Sequence, residues 1–481
     1  MRTPPKGNAA PLRFGSDGYR GAIGDTFCWE QVAKLTCGVA QYLSAHGAPP
    51  GAAIPVGYDT RFLAPHYARA VYHALKAEGF APLLAAAFCP SPYLSFAVKR
   101  LNAPLGIMLT ASHNPAKYLG FKIKGPEGGS ALPELNSEVE KYAAEAAPAY
   151  DATLAFSVND YEQFDLRGEY EDGMRGFACG MLEYAKFKLG IDFVRGATAH
   201  LYLQVLEAMG ISFTAMNTAR DPNFAGGKPE PIPEQLGGLT QWVSENGAGA
   251  FGAAFDGDGD RLGLIDEKGR FVPPEDIFAI CLLHLVEGRG MRGRVIKSVS
   301  FSSLIDRICA GLRLELCEVP VGFKHSTREL VKPGALMAGE ESGGFGFGFY
   351  LPERDALLAL LTVLCAMAEK GAALCDLRAD VAARFGHPFF HREDIALAGA
   401  DEAQRVRVLI EQMKNDPKLI GLEGARLSEL DGVKLHYAEG FLLLRFSGTE
   451  PLVRIYCEHL EEGMELALIA RAKAFLGLTR A

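Results

Sequence analysis

From the amino terminus to about residue 380, two kinds of hydrophobic pattern alternate along the chain. Short apolar runs read as buried strands: Ile54–Asp59, Leu105–Met108, Ala250–Phe255 and Arg294–Val299. Longer stretches with apolar residues three and four apart read as helices: Trp29–His46, Leu63–Glu78, Tyr170–Lys188, Tyr202–Met209, Glu234–Asn246, Ile277–Glu287, Ser303–Ala310 and the strongly apolar Asp355–Lys370. Strands alternating with helices predict an α/β fold whose sheets are largely parallel and covered by helices. Val319–His325 reads as a strand running out into a loop. From about Val381 the pattern changes to a helix at Arg405–Lys414, hairpin strands at Val433–Tyr437 and Phe441–Arg445, a strand at Val453–Cys457 and a helix at Met464–Phe475, which predicts an α+β unit.

At 481 residues the chain exceeds the roughly 250–300 residues at which a single core stops growing. It divides into four units, 1–155, 156–268, 269–380 and 381–481, with Ala146–Thr153 as a linker. Apolar residues at 48% let each unit bury a core of its own. A net charge of −9 argues against a nucleic-acid or anionic-membrane face, so cations for an anionic substrate must be gathered locally. No apolar run is long enough to span a bilayer, and the expectation is a cytoplasmic protein with no membrane partner. The ten cysteines are scattered singly without a CxxC pair, which predicts reduced, buried thiols.

The apolar run Leu105–Met108 delivers Ser112 to a loop at its carboxyl end, where α/β sheets place their ligands. A free serine hydroxyl is a weak nucleophile, and no GxSxG motif surrounds this one. Asp256, Asp258 and Asp260 alternate with glycines, so an extended segment would point all three carboxylates one way, a hard-oxygen set suited to one Mg²⁺. A calcium-binding loop fits poorly, because Arg261 stands at its sixth position, where that loop needs glycine. Glycines bound Glu340 and Ser342, an acceptor and a donor for vicinal hydroxyls. Arg445-Phe446-Ser447-Gly448-Thr449-Glu450-Pro451 sets a guanidinium, two hydroxyls and a glycine-flanked backbone round one point, as a phosphate monoester requires, and Arg454 can close the same site. Phe14–Gly21 presents Arg20 from a glycine-rich turn.

Thr110-Ala111-Ser112-His113-Asn114-Pro115, Asp256–Arg261, Gly339–Gly344 and Arg445–Pro451, in this order, resemble the motifs of the α-D-phosphohexomutases, which move a phosphoryl group between the 1- and 6-positions of a hexose. The resemblance runs from Phe14 to about Arg454. It implies three similar α/β domains with mixed sheets flanked by helices, a C-terminal α+β domain, and an active site in the central cleft. It also implies a phosphorylated Ser112 bound to Mg²⁺ with Asp256, Asp258 and Asp260, and Arg20 and Arg261 close to that phosphate. His113 is a catalytic base or a local support of the loop, and Lys122 and Lys324 are candidate acid or base. Lys297, Gly322, Glu340 and Ser342 become substrate-binding candidates, with Glu340 and Ser342 at the sugar O3 and O4, while Arg445, Ser447, Gly448, Thr449 and Arg454 hold phosphate. The implied partners are small hexose phosphates, with glucose 1,6-bisphosphate as intermediate and activator, and the chain acts as a monomer or homodimer. Gly344 stands where relatives active on mannose phosphates often carry histidine, and with Glu341 and Gly322-Phe323-Lys324 this looks more like a phosphoglucomutase. A phosphomannomutase or dual-specificity enzyme is the alternative, followed by a metal-dependent sugar phosphatase and a non-catalytic sugar-phosphate sensor.

Overall fold

The run that carries Ser112 forms the strand Gly106–Leu109, buried at every position inside a six-stranded sheet. The computed structural model describes residues 12–15, 17–148, 154–157, 160–178, 180, 182, 185–446 and 452–478. Gly106–Leu109 runs parallel to Ala53–Tyr58, whose other neighbour, Ala81–Ala85, is also parallel, and it turns back as the antiparallel strand Tyr118–Lys124. Ser112 therefore lies at the tip of a hairpin.

The next two sheets repeat this arrangement. Ala250–Phe255 lies parallel to Lys188–Asp192, which pairs with Phe213–Met216, and returns antiparallel as Leu262–Ile265 round the triple-aspartate loop. Ala335–Gly339 lies parallel to Arg294–Ser298, which pairs with Leu316–Val319, and returns as Phe345–Phe347 round the Glu340–Gly344 loop. All three sheets are thus mixed rather than largely parallel, because each functional loop closes an antiparallel hairpin. The fourth sheet is antiparallel throughout, in the order Phe389–Ala396, Leu452–His459, Gly440–Phe446, Val433–Tyr437 and Arg426–Ser428. The tip between its Gly440–Phe446 and Leu452–His459 strands, and linker residues 149–153, lie outside the described residues.

Several elements depart from the hydrophobic pattern. The strand Gln163–Phe164 pairs with Ala81–Ala85, so the first sheet reaches past residue 155. The helix expected over Tyr170–Lys188 spans Arg167–Ala178, and Lys188 instead opens a strand in which Leu189 and Ile191 are buried between two neighbours. The expected loop after Val319 becomes the helix Phe323–Leu330, entered through Gly322 at a positive φ of 115° and anchored by buried Phe323 and Leu330. The second and third units, beside a small cluster of their own in each, share one large continuous core that also takes in Tyr93, Leu94 and Met108 of the first. The cause is the helix Ala356–Lys370: Ala356 to Met367 are all buried, so no face is left for solvent and it must lie between units. No single described helix is long and apolar enough to cross a membrane. Of the nine described cysteines six are buried, whereas Cys28, Cys317 and Cys375 are only partly so.

A buried ion pair crosses from the first domain to the third: Lys124 Nζ lies 2.5 Å from Glu353 Oε2, which also accepts from Ser130 Oγ at 2.8 Å. Lys124→Met takes the ammonium from Glu353 Oε2 and leaves only Arg354 Nε, 3.4 Å from Oε1, to answer the buried charge, and should cost about 3 kcal/mol. Thermal melting should show a clearly lowered midpoint; an unchanged midpoint would contradict the assignment.

Candidate active site

Ser112 takes a left-handed backbone conformation, φ 51°, which a residue with a Cβ adopts only when its surroundings enforce it. Fully buried Arg61 supplies that enforcement. Its Nη2 donates to the carbonyls of Ser112 (2.7 Å) and Asn114 (2.6 Å), and its Nη1 to those of Pro115 (2.9 Å) and Tyr118 (3.0 Å). Asp59 holds Arg61 through Nε at 3.0 Å and accepts the Thr110 hydroxyl at 2.6 Å, while Thr110 Oγ1 accepts the Ser112 N–H. The Ser112 hydroxyl is left to donate to Asp256 Oδ2 at 2.8 Å.

The aspartate loop is a tight turn, not the extended segment read from the sequence. Asp256 Oδ1 accepts the N–H groups of Asp260 and Arg261, and Gly259 has φ 74°. The three carboxylates converge because the chain curls round Asp256, and their oxygens lie within 4.8 Å of one another, fully buried. Among the described residues Asp258 Oδ1 and Asp260 Oδ1 have no hydrogen-bond partner. Burial, then Asp260 and Asp258, push the Asp256 carboxyl well above its usual range. Buried, unpaired, mutually repelling oxygens of this hard type fit a divalent cation. The serine and aspartate loops touch backbone to backbone: a Cβ at Gly257 would lie 2.6 Å from the Ser112 carbonyl oxygen.

Lys122 is buried against the triad, 3.0 Å from Asp258 Oδ2 and 2.7 Å from Asp17 Oδ2. Burial works to lower its pKa, but Asp17, Asp258 and Asp260 outweigh burial and hold it above the usual value, so it stays an ammonium. His113 Nδ1 lies 3.4 Å from Ser112 Oγ; burial, then Arg261 and Arg20, hold it well below its usual value, so it stays neutral. Arg20 donates to Asn114 of the serine loop, and Arg261 pairs with Glu230 at 3.1 Å.

Asp17 and Arg354 are site residues that the sequence reading did not single out. Arg354 Nη2 lies 2.9 Å from Asp17 Oδ2 and 2.8 Å from Asp260 Oδ2, and Nη1 lies 3.9 Å from Glu340 Oε2. One buried guanidinium thus joins the first three domains. It also explains Gly344: a Cβ there would lie 2.3 Å from Arg354 Cδ, so no side chain fits. Arg354 ends the strand Leu351–Arg354, outside the motifs, and its neighbours give no sign of its role. Asp17 lies inside the Phe14–Gly21 segment, where it could have been chosen beside Arg20.

Glu340 is buried, accepts the Gly322 N–H at 3.0 Å, and burial pushes it up to about 7. Ser342 is partly buried at the tip of the same turn. Lys324 stands on the first turn of its helix and donates to the Gly15 carbonyl at 3.1 Å; burial lowers its pKa. Arg445 and Arg454 face each other across the fourth sheet, paired with Asp431 at 2.7 Å and Asp394 at 3.4 Å. Ser447, Gly448 and Thr449 lie outside the described residues. Lys297 is not brought to this group: its ammonium is buried against Asp306 and the carbonyls of Phe301 and Ser302. Strand alternation explains the miss, since neighbouring Ser298 turns the other way and donates to Glu341.

Four family models match consecutive stretches: phosphoglucomutase/phosphomannomutase α/β/α domain I over residues 11–149, domain II over 170–269, domain III over 273–385, and the C-terminal domain over 397–472. A crystal structure described as a putative phosphomannomutase from Thermus thermophilus is 32% identical, with TM-score 0.83 over 97% of this chain and 99% of that one. A probable phosphoglucosamine mutase of Methanothermobacter thermautotrophicus is 28% identical over 97% of this chain and 98% of its own. A phosphoglucomutase/phosphomannomutase of Thermococcus kodakarensis is 25% identical over 92% and 94%. Three repeated α/β units and one antiparallel unit, closed round a serine and a carboxylate triad, define a phosphotransferase of the isomerase class. The chain belongs to the α-D-phosphohexomutase family.

Removing the guanidinium that gathers the serine loop should misplace Ser112 without touching the triad. Arg61→Met is expected to lower turnover on the order of 100-fold, while calorimetry still finds one divalent-cation site; loss of that site together with the activity would contradict the division of labour.

Proposed function

We propose that the protein is a phosphoglucomutase, interconverting α-D-glucose 1-phosphate and glucose 6-phosphate through a phosphorylated Ser112 and a glucose 1,6-bisphosphate intermediate. The observation that carries this reading is the Ser112 hydroxyl, buried and 2.8 Å from Asp256, beside oxygens of Asp258 and Asp260 that have no hydrogen-bond partner among the described residues. Asp256, Asp258 and Asp260 would hold Mg²⁺, which when bound offsets the charge of the transferring phosphoryl group.

In the forward step the Ser112 Oγ–P bond breaks as a bond forms from phosphorus to the sugar O6, and the O6 proton passes to a base in the cleft. Lys324, whose pKa burial lowers, is the better suited of the candidate groups to exchange that proton, while His113 supports the serine loop beside Oγ and the Lys122 ammonium balances phosphate charge. Glu340 and Ser342 bind the sugar hydroxyls, with Glu340 steadied by the Gly322 N–H. Arg445 and Arg454 grip the phosphate that is not in transfer, and Arg20 and Arg261 the one at Ser112. After the bisphosphate turns over, its other phosphate returns to Ser112 Oγ and the sugar oxygen regains a proton.

The absence of any side chain at Gly344, whose place Arg354 fills, supports glucose over mannose. The names of the curated relatives favour a second reading, glucosamine phosphate as substrate. Steady-state kinetics with glucose 1-phosphate, glucosamine 1-phosphate and mannose 1-phosphate side by side decide between them, and the highest kcat/KM is expected for glucose 1-phosphate. Ser112→Ala should lower turnover by several orders of magnitude with the fold intact; steady release of inorganic phosphate by the unaltered enzyme would instead mean a phosphatase.

A further inference from the structure

One carboxylate oxygen ties the fourth domain's arginine to the third domain. Asp431 Oδ2 accepts from Arg445 Nε at 2.7 Å and from the Val321 N–H at 2.9 Å. The adjacent N–H, that of Gly322, donates to Glu340 Oε1 at 3.0 Å. Two successive amides of one loop therefore seat the anchor of the arginine and the carboxylate of the third-domain loop. Asp431 is itself closely placed, because the Asp431–Gly432 turn presses on the arginine's own strand: Gly432 has φ 94°, and a Cβ there would lie 2.4 Å from the Leu444 carbonyl oxygen. Asp431 engages the Nε edge of Arg445, and among the described residues Nη1 and Nη2 have no carboxylate partner.

Docking of the two domains brings this contact together. Val299, Phe441, Leu443 and Tyr456 form a small apolar cluster between them, and buried Lys434 donates to the Val299 carbonyl at 2.6 Å and to Glu318 at 2.5 Å. Holding a guanidinium by Nε, with its other two nitrogens facing no carboxylate among the described residues, suits a bidentate grip on phosphate. Separation of the domains would remove the Val321 donor and leave Asp431 paired with Arg445 alone among the described residues.

We propose that Asp431 is a positioning residue: it orients Arg445 for the phosphate of a sugar-phosphate ligand and makes that orientation depend on docking of the fourth domain onto Val321. The inference rests on the reading of Arg445 as a phosphate-gripping residue. A double-mutant cycle tests it. Asp431→Ala should raise the KM for glucose 1-phosphate about tenfold while kcat stays within about threefold, and Asp431→Ala/Arg445→Ala should have the KM of Arg445→Ala alone. Asp431→Asn keeps an acceptor for Val321 but not the charge, and should give a smaller rise, about threefold, that likewise vanishes on the Arg445→Ala background. An unchanged KM in both Asp431 variants, or effects of Asp431 and Arg445 that multiply, would overturn the proposal. An unchanged KM in Arg445→Ala alone would be a different failure, that of the phosphate-gripping role.

Discussion

The constraint on which the rest of this structure depends is the close approach of two loops from different domains, which puts a serine hydroxyl against a carboxylate that cannot easily be charged. Asp256, Asp258 and Asp260 are buried together, and among the described residues Asp258 Oδ1 and both Asp260 oxygens find no hydrogen-bond donor. Such a cluster is costly unless cations answer it. Lys122 and Arg354 supply part of the answer, and the convergent oxygens leave room for a divalent ion to supply the remainder. The loops meet backbone to backbone at Ser112 and Gly257, so the hydroxyl cannot drift away from the triad without parting the domains.

A repeated topology delivers these loops to one place. In each α/β unit a strand pairs in parallel with an earlier strand of the unit and then folds back antiparallel, and the hairpin tip carries the chemistry: Ser112 in the first, the aspartates in the second, Glu340 in the third. The tips bond across domain boundaries, with the Leu262 N–H donating to the Gly343 carbonyl and the Ser91 N–H to that of Asp258. The buried Arg354 guanidinium binds the same junction electrostatically, and the fourth domain adds its arginines through contacts with the third.

The sequence showed the loops clearly and their supports hardly at all. Ser112, the three aspartates and Glu340 lie in runs of small and polar residues that break an apolar pattern, so local composition exposes them. Arg61 reaches the Ser112 carbonyl 51 residues away and Arg354 reaches Asp17 337 residues away, and nothing in their neighbourhoods announces that reach. Lys297 shows the opposite error: a lysine in an apolar strand beside a candidate loop looks functional, but period-two alternation turns it away from Glu341 and into a structural ion pair. Strand positions such as Ala250–Phe255 were legible because their burial is continuous, whereas the start of Lys188–Asp192 was hidden in a stretch that also suits a helix.

The account's central claim is that a divalent ion held by Asp256, Asp258 and Asp260 sits against the phosphoryl group on Ser112. Phosphorus-31 NMR of the phosphorylated enzyme, titrated with Mn²⁺, reads that contact directly. The account predicts that one equivalent of Mn²⁺ broadens the phosphoserine resonance beyond detection and that Asp258→Asn restores it; a resonance that stays sharp with Mn²⁺ bound would contradict the claim.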